Sequence, residues 1–289
     1  MVATQFLGAW NDNMFRWLAV PIAQPILGND EALAIGLASF TVPYLLLATG
    51  AGYLADRFSK RSVIVGCKVA EIVLMMLGVL SILLGSLWML FGVVALMGCQ
   101  SALFGPAKFG TLPEILKPEK LSAGNGWMGL VTVAASALGT ISGLWLYSIV
   151  TPDLNSPPGI STLLPVAAVL LSVAVAGWLC SLLIPCVPAA DPQRKLAVNP
   201  VTDTIRNLKL LVNNKPLLRT ALGIGFFWLL ASLAQMNIDP FGEVVLGLDK
   251  SQIGLLMGVL VIGLGLGSVF AGLASGKAVE LGLVPLGAV

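Results

Sequence analysis

The chain has 289 residues, 57% of them hydrophobic and 10% charged, with a net charge of +2 and a mean hydropathy of +0.94. Soluble globular domains carry about 25% charged residues, so this composition is that of a polytopic membrane protein, and so small a net charge offers nothing to nucleic acid. Histidine is absent, which removes the commonest general base and metal ligand, and Cys67, Cys99, Cys180 and Cys186 form no metal-ligand set, so neither a metal nor a cofactor is expected.

A spanning helix needs about 20 mostly apolar residues. Eight such segments are predicted, near 4–26, 32–55, 62–84, 87–112, 123–150, 161–186, 216–239 and 251–275, and a ninth begins near Leu281. The N-terminus lacks the basic region of a cleavable signal, so the first helix is expected to remain. That helix contains GAWNDNMFRW, residues 8–17. With a start near Thr4, Asp12 lies about 12 Å along the helix, close to mid-membrane. A centred aspartate costs on the order of 3 kcal/mol on insertion scales, so it needs a cavity or a partner. Arg16 is four residues on and shares its face, which permits a pair. Asn11 and Asn13 add more polar surface than one pair requires, and the four residues together read as a cavity wall.

The connection after the second helix is GYLADRFSKRSVI, residues 52–64. Gly52 would let the second helix approach a neighbour closely. Asp56 would sit against a helix N-terminus. Arg57, Lys60 and Arg61 would hold the loop at an anionic leaflet. Lys68 and Glu71, three apart, read as a local structural pair near the inner surface. Gln100, deep in the fourth helix, is a weaker cavity candidate. Pro106 is expected to bend that helix, and Lys108 either snorkels to headgroups or meets a lipid phosphate arriving at the inner leaflet. Asn125 reads as a cap or packing residue. Asp239-Pro240 reads as a solvated turn, and Gly263 with Gly267 as a close-packing GxxxG pair.

The longest connection, 187–215, begins PCVPAADPQRK and becomes amphipathic at VTDTIRNLKLLVNN, which predicts a surface-lying helix. It divides the chain into a six-helix half, 1–188, a cytoplasmic linker, 189–215, and an incomplete second half, 216–289. AGYLADR at 51–57 matches AGLASGK at 271–277, at the same place in each set of helices. That placement fits parallel six-helix repeats, with about four helices of the second set absent. Basic residues gather on alternate connections, at Arg57 to Lys68, Lys108 to Lys120, Arg194 to Arg219, and Lys277. The other connections hold Lys250 as their one base. The positive-inside rule then places the N-terminus in the cytoplasm.

The 52–64 string resembles the cytoplasmic loop signature of the major facilitator superfamily, G-x-L-A-D-R-x-G-R-[KR]. Gly52, Leu54, Ala55, Asp56, Arg57 and Arg61 match, Lys60 stands in for arginine, and Ser59 replaces the second glycine. QFLGAWNDNMF (5–15), FGPAKFGTLPEIL (104–116) and LSAGNGWMG (121–129) resemble the lysophospholipid transporter branch, which occurs alone or fused ahead of acyltransferase and acyl-carrier-protein synthetase domains. The resemblance implies an all-α major facilitator fold, made of one six-helix half and the first two helices of the second. It implies movement of lysophospholipid, chiefly lysophosphatidylethanolamine, from outer to inner leaflet of a bacterial-type inner membrane by alternating access. Asp12 would then be a coupling-ion site or the contact for a headgroup ammonium, and Arg16 would attract the phosphate. In the family the loop aspartate contacts the eleventh helix, which is not in these residues. Two alternatives stand beside it: a proton-coupled exporter of drugs or small amphiphiles, and the membrane module of a multi-domain acyltransferase. No nucleophile–base set points to enzymatic activity in the chain itself.

Overall fold

A computed structural model describes residues 1–150, 159–195, 200–247, 250–275 and 282–287. The predicted outer loop at 151–158, Lys277 and Leu281 lie outside these residues. Among the described residues, ten α-helices run in chain order: α1 (Val2–Leu27), α2 (Asn29–Arg57), α3 (Lys60–Leu83), α4 (Leu87–Ile115), α5 (Leu121–Val150), α6 (Ile160–Leu182), α7 (Pro200–Asn213), α8 (Lys215–Pro240), α9 (Lys250–Ala274) and the short α10 (Leu283–Leu286). No strand occurs among the described residues. The protein is an all-α integral membrane protein. Among the described residues, α2 to α6 and α8 are long and apolar enough to cross a bilayer. α1 has the length, at 26 residues, but carries Asp12, Arg16 and several amides. Its neighbours α2, α3, α4, α5 and α6 surround it, so its polar side chains face protein.

Local signals account for the ends. Ser59 and Ser86 cap α3 and α4, accepting from the backbone N–H groups of Ser62 and Met89. Gly28 and Gly85, at φ +89° and +61°, turn the chain between α1 and α2 and between α3 and α4. α4 runs three residues past its predicted end, through Pro106 and Pro113. Proline is tolerated within membrane helices because neighbouring groups satisfy the carbonyls it frees. α8 likewise continues through Asp239-Pro240 into a π turn, Phe241–Val245, so the turn comes later than expected.

The chain forms two compact units: Met1–Leu196 with Ser268–Val289, and Ala197–Gly267. In the first unit the core gathers Met14, Phe15 and Leu18 of α1, Met75 of α3, Val94 and Met97 of α4, Leu146 of α5 and Leu170 of α6. The tightest seam joins α1 to α5. A β-carbon at Gly139 would lie 2.7 Å from the Trp10 carbonyl oxygen, and one at Gly143 would lie 2.4 Å from that of Met14. These two glycines, four apart, let the backbones meet. The pair expected to do so, Gly263 and Gly267, has no described atom within 4 Å of an added β-carbon. Small-residue spacing permits close approach but does not supply the partner helix. In the second unit α7 is the predicted amphipathic helix, with an Arg206–Asp203 ion pair along it, and Asn214 caps α8.

Candidate transport cavity

Residues 5, 9, 12, 13 and 16 recur at helical spacing and lie on one face of α1. That face borders a polar cavity of about 200 Å³. Phe40 and Tyr44 of α2, Lys68 of α3, Gln100, Ser101, Phe104 and Lys108 of α4, and Thr132 and Ser136 of α5 complete its walls.

Asp12 does lie on this cavity, but not as one half of an ion pair. Its Oδ2 accepts a hydrogen bond from the Ser101 hydroxyl at 2.7 Å. Its Oδ1 is buried without a hydrogen-bond partner among the described residues. Arg16 instead donates to Asn13 Oδ1 at 2.9 Å and places its guanidinium 4.7 Å from the Phe40 ring centroid. The i,i+4 spacing allows an Asp12–Arg16 bond. A closer amide at i−3 and an aromatic face hold the arginine elsewhere. Asn13 is fixed in turn, donating to the Ala9 carbonyl at 2.8 Å and to Ser136 at 3.2 Å.

Asn11 is not a cavity wall. It is fully buried and donates to Glu71 Oε1 at 3.0 Å, tying α1 to α3. One helical position moves a side chain by about 100°, enough to turn Asn11 away while Asp12 and Asn13 stay. Glu71 also receives Lys68 Nζ at 2.5 Å, and both side chains are almost wholly buried. The pair therefore sits inside the bundle and not at the inner surface, and Lys68 itself borders the cavity. Gly8 makes room for it: a β-carbon there would lie 2.1 Å from Lys68 Nζ. Lysine in an apolar helix interior was the available signal for this residue.

Lys108 faces the cavity too, 5.7 Å from the Phe104 centroid and 4.5 Å from that of Phe109. It makes no hydrogen bond or ion pair with a described residue. Gln100 donates to the Cys67 carbonyl at 3.2 Å and accepts from Ser101 at 3.2 Å. Ser101, Ser136, Thr132, Gln5 and Tyr44 were not anticipated, because lone hydroxyls and amides carry no sequence signature. Three basic side chains, Arg16, Lys68 and Lys108, and one acid, Asp12, line the cavity. Glu71 balances Lys68, which leaves one positive charge in excess.

The 52–61 loop is tied down by protein. Asp56 forms an ion pair with Arg194, and its carbonyl accepts from the Asp191 N–H at 2.9 Å. Arg57 donates to the Arg194 carbonyl at 2.8 Å, and Arg61 to that of Leu182 at 2.8 Å. Lys60 pairs with Glu114 of α4 and lies over Gly110. Asp56 thus meets an arginine and not a helix N-terminus, and the three cations hold the loop to α4, to the end of α6 and to the segment after it. Gly52 has open space where its side chain would be, so it mediates no close approach among the described residues.

The bundle belongs to an integral membrane protein with a charged cavity beside its first helix. The family model of the Major Facilitator Superfamily matches residues 2–288, and the chain belongs to that superfamily. It is 28% identical over 278 residues to the lysophospholipid transporter LplT of Serratia proteamaculans (strain 568), covering 93% of this chain and 63% of that protein. It is 32% identical over 146 residues to LplT of Yersinia pestis (strain Pestoides F), covering 50% of this chain and 34% of the relative. The chain thus spans less than two thirds of the length of these relatives.

Proposed function

We propose that the protein moves lysophospholipid, of the lysophosphatidylethanolamine kind, from the outer to the inner leaflet by alternating access of its two halves, 1–188 and 216–289, about the linker 189–215. The carrying observation is the cavity's charge arrangement: an unpartnered carboxylate oxygen on Asp12 within reach of a net positive wall. A zwitterionic headgroup meets both signs. Its ammonium goes to Asp12 Oδ1, and its phosphate to Lys108 and Arg16. In a low-dielectric site these contacts are stronger than in water. A cationic drug would meet the same excess positive charge unfavourably, which favours the lipid over the drug-exporter alternative. Asp12 as a coupling-ion site remains compatible with the same geometry. Names of the relatives and the chemistry of the headgroup agree. The basic connections support a cytoplasmic N-terminus in a bacterial-type inner membrane. An acyltransferase or synthetase, fused or separate, would consume the delivered lipid.

The test is uptake of labelled lysophosphatidylethanolamine beside a cationic dye. Asp12→Ala is expected to abolish lipid uptake while the protein still inserts. Lipid uptake at the wild-type rate by this variant, or wild-type transport of the dye alone, would overturn the reading.

A further inference from the structure

Across α4 from the cavity lies a second, larger hollow of about 810 Å³. Its walls are apolar: Ala70, Val73 and Leu74 of α3 face Leu96 and Leu103 of α4, and Phe58 closes one end. Val73, Leu96 and Phe58 are each about half exposed, so the groove opens sideways to the surroundings of the bundle. Along α3 it extends from Ser62 to Leu77, about 22 Å at 1.5 Å per residue. That is most of a hydrocarbon core about 30 Å thick.

Groove and cavity share one residue, Gln100. On α3 the two hollows take consecutive residues, Cys67 for the groove and Lys68 for the cavity. At this level a hydrogen bond from Gln100 Nε2 to the Cys67 carbonyl, at 3.2 Å, and the packing of Cys67 against Phe104 separate the two hollows. That length is at the long end of the normal range, and the bond joins two neutral groups.

We propose that the α3–α4 groove holds the acyl chain of the same single-chain lipid whose headgroup enters the polar cavity, with Gln100 at the junction. This rests on the function proposed above. The headgroup lies among Asp12, Arg16 and Lys108 while the chain stays in an apolar channel, so no methylene is carried past buried charges. A lysolipid presents a free hydroxyl beside an ester at the point where its polar and apolar parts meet. The Gln100 amide, released from Cys67, has a donor and an acceptor for those groups. A diacyl lipid brings a second chain to the same groove. Its extra chain would have to enter a cavity of about 200 Å³ lined by cations. One groove thus selects for one chain.

The experiment uses the protein in proteoliposomes and a lysophosphatidylethanolamine with a photoreactive diazirine near the end of its chain. Adducts are mapped by mass spectrometry. Expected are adducts on Ala70, Val73 and Leu96, suppressed by unlabelled lysolipid and not by diacyl phosphatidylethanolamine. Ala70 is exposed, so Ala70→Trp should fold; it should raise KM for the long-chain lysolipid several-fold, and by much less for a short-chain one. Adducts confined to other helices, still suppressed by glycerophosphoethanolamine, would overturn the groove and leave the headgroup reading standing. Groove adducts suppressed equally by diacyl lipid would reduce it to ordinary lipid-facing surface and overturn the proposal. No saturable adduct, with no effect of glycerophosphoethanolamine, would overturn both readings.

Discussion

At the scale of single residues, two buried acids in the same bundle behave differently. Glu71 has both oxygens bound, one by Lys68 and one by Asn11, and so acts as structure. Asp12 has one oxygen held by Ser101 and one buried without a described partner, and so is the acid that the proposed function uses. Asp12→Asn keeps the shape and the acceptor for Ser101 but removes the charge. Charge-assisted hydrogen bonds are worth about 1.5–3 kcal/mol, so ethanolamine-lipid uptake should fall about 10- to 100-fold. A lysolipid whose headgroup has no ammonium should lose much less, and measuring both checks the assignment. Glu71→Ala leaves the Lys68 ammonium buried and unpaired. Breaking a buried pair in this way costs about 3–5 kcal/mol, to be read as a lowered unfolding temperature in detergent. Adding Lys68→Met to that variant should recover most of the loss.

At the scale of elements, the α1–α5 seam is closed backbone to backbone and the 52–61 connection is latched. Gly139→Leu drives a side chain into the α1 backbone where a β-carbon already lies 2.7 Å from a carbonyl oxygen. Overpacking typically costs about 1–3 kcal/mol, and here rigid backbone must move, so destabilisation at the upper end is expected by thermal unfolding. Gly263→Leu, at the other glycine pair, should be almost silent in the same assay. The Arg194–Asp56 latch lies near the surface, with both side chains about one third exposed. Exposed ion pairs contribute roughly 0–1 kcal/mol, so Arg194→Ala should shift stability far less than Glu71→Ala.

At the scale of the whole molecule, orientation is the first question. Cys186 follows α6 and is exposed, on the side assigned to the cytoplasm. A membrane-impermeant maleimide should leave it unlabelled in intact cells and label it in inverted vesicles. Ser86→Cys, on the connection between α3 and α4, should show the opposite pattern. Reversal of both would turn the topology over.

Composition pointed to a membrane protein, because soluble domains carry far more charge, and the 20-residue rhythm of apolar segments marked where the long helices run, six of which are apolar enough to cross a bilayer among the described residues. The loop string at 52–61 was sufficient for the family, and Asp12 was legible because an acid in an apolar helix has to be accounted for. Only the tertiary structure decided partners. Asp12 and Arg16 share a helix face, yet Ser101 and Asn13 hold them separately, and Ser101 comes from 89 residues along the chain. Asn11 looked like its neighbours until α3 supplied Glu71. Two glycine pairs had the same spacing, and among the described residues Gly139 and Gly143 meet a helix while Gly263 and Gly267 do not. The physical reason is common to these cases: helical periodicity sets which direction a side chain points, and long-range packing sets what it meets there.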